Sequence, residues 1–187
     1  MTSIHQYKSS MVGGGARSNQ FRITLTFPSW VAGGEFAGEK AQFTVGAASL
    51  PEQTLGVASL PFRGRDIKWA GDRTFSPWSV NVYNDTEFAV RNALESWSQG
   101  IVENESNRGR TNALQYQTQS LVEQLDRNDQ VLKTYVFYDL WPIQVGEIGL
   151  DWGNNDQIEI FPVTFDFLTF EASDVDGRVG DSGPILG

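Results

Sequence analysis

Alternating apolar and polar side chains along the chain predict a protein built mainly from strands. Between residues 21 and 27, four apolar side chains alternate with polar ones and the pattern stops at Pro28, which is typical of a half-buried strand. Similar alternation predicts further strands over residues 41–47, 78–83, 119–126, 131–139, 148–152 and 158–167.

Between these strands, the spacing of apolar side chains predicts one helix. Residues 86–99 carry apolar side chains at helical spacing behind the capping sequence Asn84-Asp85-Thr86. Residues 50–70, bracketed by two Leu-Pro pairs, suit a long hairpin or excursion. Loops are expected at 31–40 and 100–118, at Trp141-Pro142, and at the turns 126–129 and 153–156.

About seven strands and one helix define the predicted fold class: mainly β, an antiparallel β-barrel or β-sandwich with one flanking α-helix. Phe43 and Val45 are expected on one face of the second strand, and a β-bulge is expected beside Pro162. Core positions are predicted for Trp78, Trp97 and Trp152.

The length of 187 residues fits one domain. We expect a flexible N-terminal arm over residues 1–20, a β domain over 21–171, and an acidic C-terminal extension over 172–187. The opening MTSIHQYKSS has neither the charged nor the apolar part of a signal peptide. No apolar run approaches the length of a membrane span, so the sequence predicts a soluble cytoplasmic product without membrane partners.

The residue types leave little room for catalysis. The chain has no cysteine and its only histidine, His5, lies in the predicted arm, which excludes thiol chemistry and histidine triads. Acid pairs of the glycosidase kind can be drawn from Asp151, Asp156, Glu159 and Asp166, and oxygen ligands for calcium from Asp151, Asn154, Asn155 and Asp156. A chain with 23 acids forms such groups by chance, so we expect no enzyme activity, cofactor or metal.

Charge is unevenly distributed along the chain. The net charge of −9 disfavours a nucleic-acid binder with a basic face. From Asp151 to the end the net charge is −7, whereas Pro61 to Arg73 carries +2. Opposite patches on one chain allow like subunits to dock head to tail, although an unevenly charged, solvated surface explains the same pattern equally well.

Two motifs connect the chain to a known family. The first is AGDRTF at 70–75, followed by alternating Trp78, Val80 and Val82 and then Asn84-Asp85. The second comprises LWP at 140–142, VGE at 145–147, LDW at 150–152, Asn154-Asn155 and Val163-Thr164. In this order, over roughly residues 40–170, the chain resembles the tail tube proteins of contractile-tailed, T-even-like bacteriophages.

The resemblance implies a structural subunit of the virion, assembled in the host cytoplasm. Six subunits would contribute strands to one ring, and stacked rings would form a tube that lies inside a sheath and meets baseplate and tail-terminator proteins. DNA would pass through the lumen without specific binding, since an acidic lining repels phosphates. Closure into a ring would also remove exposed strand edges.

The same resemblance leaves alternatives open. Inner tubes of contractile injection systems, or of headless tail-like bacteriocins, carry protein cargo, and a tryptophan-rich carbohydrate-binding module is a third possibility. Arg73 is expected to pair with a carboxylate, or else Asp72-Arg73 closes its own turn. The candidate contacts between subunits are Arg63, Arg65, Lys68, Asp72 and Arg73.

Overall fold

The computed structural model describes residues 3–11, 15–153 and 155–173, and within them the chain is mainly β. None of the described helices is long and apolar enough to cross a membrane. The helices are α1 (Ile4–Ser10), α2 (Gly34–Thr44) and α3 (Ala89–Ile101). The strands are β1 (Phe21–Thr24), β2 (Val45–Ala48), β3 (Gln53–Phe62), β4 (Arg65–Phe75), β5 (Trp78–Tyr83), β6 (Thr118–Leu125), β7 (Val131–Val145), β8 (Ile160–Asp166) and β9 (Thr169–Ala172).

The long strand β7 joins the two halves of the main sheet. Its first part pairs antiparallel with β6 on one side and with β9 on the other, whereas Trp141 to Val145 pair with β8. Asp139 adopts a positive φ of 56° where the register with β6 shifts, so β7 bends as it passes between the halves. The strand order is β1-β6-β7-β8-β5-β2, and in the described chain the sheet is not closed.

The core lies between this bent sheet and helices α2 and α3. Trp78 stacks on Phe137 at 4.6 Å between ring centroids, and both side chains are buried. Trp97 of α3 is buried as well, and its indole N–H donates to the carbonyl of Tyr116 at 2.8 Å. The core positions predicted for Trp78 and Trp97 are therefore confirmed, as is the mainly β fold class.

Helix α2 replaces the loop predicted over 31–40 and most of the strand predicted over 41–47. Small residues at 34, 37, 38 and 41 recur at helical spacing and form its buried face. A Cβ on Gly38 would lie 2.7 Å from the carbonyl oxygen of Leu25, so glycine permits close packing here. Phe43 and Val45 do not share a face. Phe43 is exposed in the last turn of α2, whereas Val45 is buried at the start of β2.

Other local predictions fail where tertiary pairing decides the conformation. Trp141 and Pro142 are not in a loop but continue β7, because they pair with β8. The bulge predicted beside Pro162 is wrong for its pairing with β5, because Pro162 pairs with Asn81 in continuous register. The register shift lies in β7, between Pro142 and Gln144, where β7 pairs with β8. Trp152 is not in the core but fully exposed, because the described residues between β7 and β8, 146–153 and 155–159, form no strand.

The N-terminal segment contains a helix where no apolar periodicity predicts one. Ser3 and Gln6 form a reciprocal capping box at the start of α1. His5 lies exposed on this helix. The part of the C-terminal extension beyond residue 173, and the calcium candidate Asn154, lie outside the described residues.

Candidate assembly surface

Strands β3 and β4 form a hairpin that extends away from the main sheet. They pair with each other as a separate two-stranded sheet, from Gln53 opposite Phe75 to Phe62 opposite Arg65. Arg63 and Gly64 connect them with φ values of 48° and 83°. Two successive positive φ angles define the tight turn whose twist matches paired strands. At ten residues, β3 spans about 30 Å. Residues 53–75 are named the β3–β4 hairpin.

One face of the distal hairpin is apolar. Cross-strand pairs place Leu60 opposite Ile67 and Ala58 opposite Trp69, and Phe62 follows on the same face because side chains alternate along a strand. The opposite face carries Ser59 paired with Lys68 and Pro61 paired with Asp66. The distal hairpin is thus amphipathic, with one apolar and one polar face, as is typical of a strand pair that buries one face.

Among the residues that the structure describes, none covers that apolar face. Leu60, Phe62 and Trp69 expose 56%, 55% and 53% of their surface. Isolated two-stranded hairpins are marginally stable in water, and contiguous exposed apolar surface marks interaction sites. The arrangement therefore provides a surface suited to docking on another protein chain.

The five predicted contact residues all lie on this hairpin, but on different parts of it. Arg63 forms the turn, with its guanidinium 5.3 Å from the Phe62 ring centroid. Arg65 begins β4 and Lys68 lies on the polar face. Asp72 and Arg73 lie near the base, at the far end of β4.

Asp72 and Arg73 do not close a turn of their own, because both are within β4. The register shifts between Leu55 and Val57. Gly71 packs closely there, because a Cβ on this residue would lie 3.0 Å from the backbone of Gly56. Beyond this bulge, Arg73 Nη1 donates to the Gln53 side-chain oxygen at 2.9 Å. Within the described chain the partner of Arg73 is thus an amide and not a carboxylate.

A second exposed apolar surface lies on the loop between β7 and β8. This segment, residues 146–159, is named the β7–β8 loop. Leu150, Trp152 and Ile158 expose 81%, 102% and 69% of their surface. The loop also carries a net charge of −4, with four acids and no basic residue.

Hydrogen bonds hold both ends of the β7–β8 loop. At its start, the Gly146 N–H donates to the Pro162 carbonyl at 2.7 Å, and Arg91 Nη1 of α3 donates to the Gly146 carbonyl at 3.0 Å. At its end, Asn84 donates to Glu159 twice, from its backbone at 2.8 Å and its side chain at 2.7 Å. The exposed side chains are therefore presented from fixed stems.

Helix α3, which supplies Arg91, is itself held by a charged contact with α2. Lys40 forms ion pairs with Asp85 and, at 2.6 Å, with Glu87. Asp85 Oδ1 also accepts the N–H of Ala89, the first residue of α3, at 3.0 Å. Burial alone would raise the pKa of Asp85, but the hydrogen bonds from Lys40 and Ala89 outweigh it and hold the pKa below its ordinary value of 3.8.

Other candidate chemistry is not brought together. Among the described residues, no group of three or more histidine, cysteine, aspartate or glutamate side chains could hold a metal ion. Asp151 accepts the Gly153 N–H at 2.8 Å and Asp166 accepts the Phe167 N–H at 3.0 Å. Glu159 serves the loop stem, so these acids have local structural roles.

Sequence reasoning missed the β7–β8 loop as a surface. The run Gly146 to Gly153 has apolar residues at alternating positions, which suggests a strand and hides the exposure of Leu150 and Trp152. The better signal was the density of glycine, at 146, 149 and 153, beside two acids. Such a composition is typical of a loop, whatever its apolar content.

The fold and these surfaces define a β-rich structural subunit with two uncovered apolar surfaces. Residues 16–173 match the family described as phage tail tube protein. The chain therefore belongs to the phage tail tube protein family, whose members are structural components of the virion.

Relatives with known names agree with this assignment. The tail tube protein of Serratia phage KSP90 is 30% identical over 174 residues, which is 92% of this chain and 97% of the relative. The tail tube protein of Enterobacteria phage T4 is 33% identical over 152 residues, covering 80% of this chain and 86% of that protein. The resemblance drawn from the two motifs is thereby confirmed.

Solved structures with the same fold come from contractile injection systems. The tube-terminating cap structure of the anti-feeding prophage has a TM-score of 0.62 at 13% identity, over 84% of this chain and 90% of that one. A sheath-tube complex of an extracellular contractile injection system has a TM-score of 0.57 at 12% identity, over 94% and 100% of the two chains. At these identities the likeness concerns the fold.

Proposed function

We propose that this chain polymerises into the inner tube of a contractile phage tail, as homohexameric rings that stack head to tail into a conduit for DNA. The observation that carries the proposal is the uncovered apolar face of the β3–β4 hairpin. An apolar face this long, held clear of its own body, stabilises the molecule only when a neighbouring subunit covers it.

The edges of the main sheet support the proposed ring closure. β1 and β2 are the outermost strands of the sheet order; each has four residues, and one edge of each pairs with no other described strand. Exposed edges favour pairing with another chain. In a ring, strand edges of adjacent subunits would meet, and the open sheets would close into one barrel around the lumen.

Charge supports DNA passage in place of DNA binding. With a net charge of −9, the subunits give a tube that repels phosphates, so DNA does not adsorb through counterion release. The sheath, baseplate and terminator are the proposed further partners, by analogy with the assemblies to which the solved neighbours belong. The fold is shared with a contractile injection system, but the relatives of 30–33% identity are phage proteins, which favours DNA as cargo.

The proposal is tested with the purified protein by negative-stain electron microscopy and light scattering. We expect hollow rods or sixfold rings whose amount rises steeply with protein concentration. A variant with Leu60→Ser and Trp69→Ser should remain folded but lose at least about tenfold in sedimentable polymer, since two anchors of the apolar face are removed.

The matched control is Leu114→Ser, which removes an apolar side chain that is 80% exposed outside the hairpin and should polymerise normally. A monodisperse monomer at all concentrations would contradict self-assembly. Polymerisation of the hairpin variant at the unmodified level would contradict the role of the hairpin.

A further inference from the structure

The two uncovered apolar surfaces of the chain carry opposite charge. The β3–β4 hairpin has a net charge of +2, most of it near the turn in Arg63, Arg65 and Lys68. The β7–β8 loop has a net charge of −4. Surfaces that match in both apolar character and charge can dock with specificity in orientation.

The β7–β8 loop also contains a cleft of suitable chemistry. A cavity of about 320 Å³ lies between its two arms, lined by Leu150 and Asp151 on one side and by Ile158 and Glu159 on the other. Apolar walls accommodate the aliphatic stem of arginine, and carboxylates match the planar fork of its guanidinium. The cleft is thus suited to an arginine accompanied by an apolar neighbour.

The hairpin turn presents that combination. Phe62, Arg63 and Arg65 are all exposed at the tip, and the turn geometry fixes their directions. Among the described strands, β3 and β4 hydrogen-bond only to each other, so the hairpin is not part of the sheet that carries the β7–β8 loop. The partner that offers this tip is therefore a second copy of the chain.

We propose that the tip of the β3–β4 hairpin of one subunit docks in the cleft of the β7–β8 loop of a second subunit, with Arg63 or Arg65 facing Asp151 and Glu159. This inference rests on the proposed tube function and names the surface that receives the hairpin. The loop is ready for docking because Arg91, Pro162 and Asn84 hold its stems before the partner arrives, so little ordering entropy is lost on binding.

Charge reversal on each side tests the pairing. The hairpin variant carries Arg63→Glu and Arg65→Glu, and the loop variant carries Asp151→Lys in the cleft and Asp156→Lys elsewhere in the same loop, all at exposed positions. Glu159 is left in place because its carboxylate also accepts from Asn84 at the loop stem. Each variant alone should raise the concentration needed for polymerisation at least about tenfold, because like charges then meet. A chain with all four substitutions should return to within about threefold of the unmodified protein, since the charges are again opposite.

Two controls separate charge from local structure. Asp151→Asn keeps an acceptor for the Gly153 N–H and removes only the charge, so its effect should be smaller than that of the loop variant. Glu39→Lys with Glu105→Lys changes the net charge equally at exposed positions outside the loop, and should leave polymerisation unchanged. Circular dichroism and thermal melting confirm that each variant is folded.

The outcomes distinguish this inference from the proposed function. If the unmodified protein polymerises and the Leu60→Ser, Trp69→Ser variant does not, but the loop variant polymerises normally, the tube function stands and the docking partner of the hairpin is another surface. Failure of the fourfold chain to recover would also overturn the pairing. Normal tubes from the loop variant that fail to recruit sheath protein would assign the loop to the sheath instead.

Discussion

The body of the subunit and its β3–β4 hairpin bury their apolar residues in different ways. In the body, Trp78, Trp97 and Phe137 are enclosed by the sheet and by α3 within one chain. In the hairpin, Trp69 and Phe62 are half exposed although they lie on an ordered apolar face. The difference separates a body that covers its apolar residues within one chain from a hairpin whose apolar face, in the proposed function, a neighbouring subunit covers.

Replacing one tryptophan in each region should give the largest contrast. Trp97→Ala removes a buried ring that contacts Phe27 and Phe165, and should lower the free energy of unfolding by about 3–5 kcal/mol. Trp69→Ala should change it by less than about 0.5 kcal/mol, because the ring is half exposed, yet should impair polymerisation. Urea denaturation of the dilute monomer measures both, and equal losses would remove the distinction between the regions.

Two glycines of the β7–β8 loop compare a position packed against the body with a position that has open space around it. A Cβ on Gly146 would lie 2.5 Å from Cγ of Pro162 and 2.6 Å from its carbonyl oxygen, so Gly146→Ala should cost about 1–3 kcal/mol of stability. Gly149 has no atom within 4 Å of its Cβ position, and Gly149→Ala should be nearly neutral. Thermal melting of the two variants makes the comparison, which fails if they melt alike.

Arg91 should stabilise the β7–β8 loop more than it stabilises the body of the subunit. Its guanidinium donates to Gly146 and lies 5.0 Å from the Phe161 ring centroid. Arg91→Lys keeps the charge but loses the guanidinium geometry, and should cost about 1 kcal/mol or less. Amide hydrogen exchange should accelerate in residues 147–158 and stay unchanged in β5 and β6. Uniform acceleration would mean that Arg91 supports the whole fold.

The smallest expected effect concerns the contact between α2 and α3. Because the folded state depresses the pKa of Asp85, its stabilising contribution is complete above pH 3.8 and is lost as pH falls through the folded value. Asp85→Asn removes this contribution, so its melting temperature should approach that of the unmodified protein on acidification. Glu105→Gln, at an exposed loop position, serves as control. A difference that is constant with pH would exclude the charge of Asp85 as its cause.

Sequence patterns predicted those elements in which burial repeats at regular spacing. The alternation in β5 and β8 and the helical spacing around Trp97 coincide with buried positions such as Val80, Val163 and Leu94. The long hairpin was predicted because proline, glycine and polar residues dominate between Leu50 and Ala70. Its five basic and acidic candidates lie together on that hairpin, although their contacts between subunits stay a prediction.

The remaining elements depend on contacts that no local pattern contains. Helix α2 packs through glycine and alanine, which hydrophobic periodicity does not register, against the carbonyl of Leu25. Trp141 and Pro142 follow a bend at Asp139 and belong to a strand only because β8 pairs with them. The exposure of Trp152 has the same cause. The apolar residues around it suggest a strand, but no described strand pairs with them.

The bent strand β7 also determines how the subunit loses its structure. Since this one strand of 15 residues belongs to both halves of the main sheet, neither half can separate without breaking a ladder that the other half shares. Unfolding should therefore be a single cooperative event in the body, and folding should be slow, because β1 pairs with β6 about a hundred residues away.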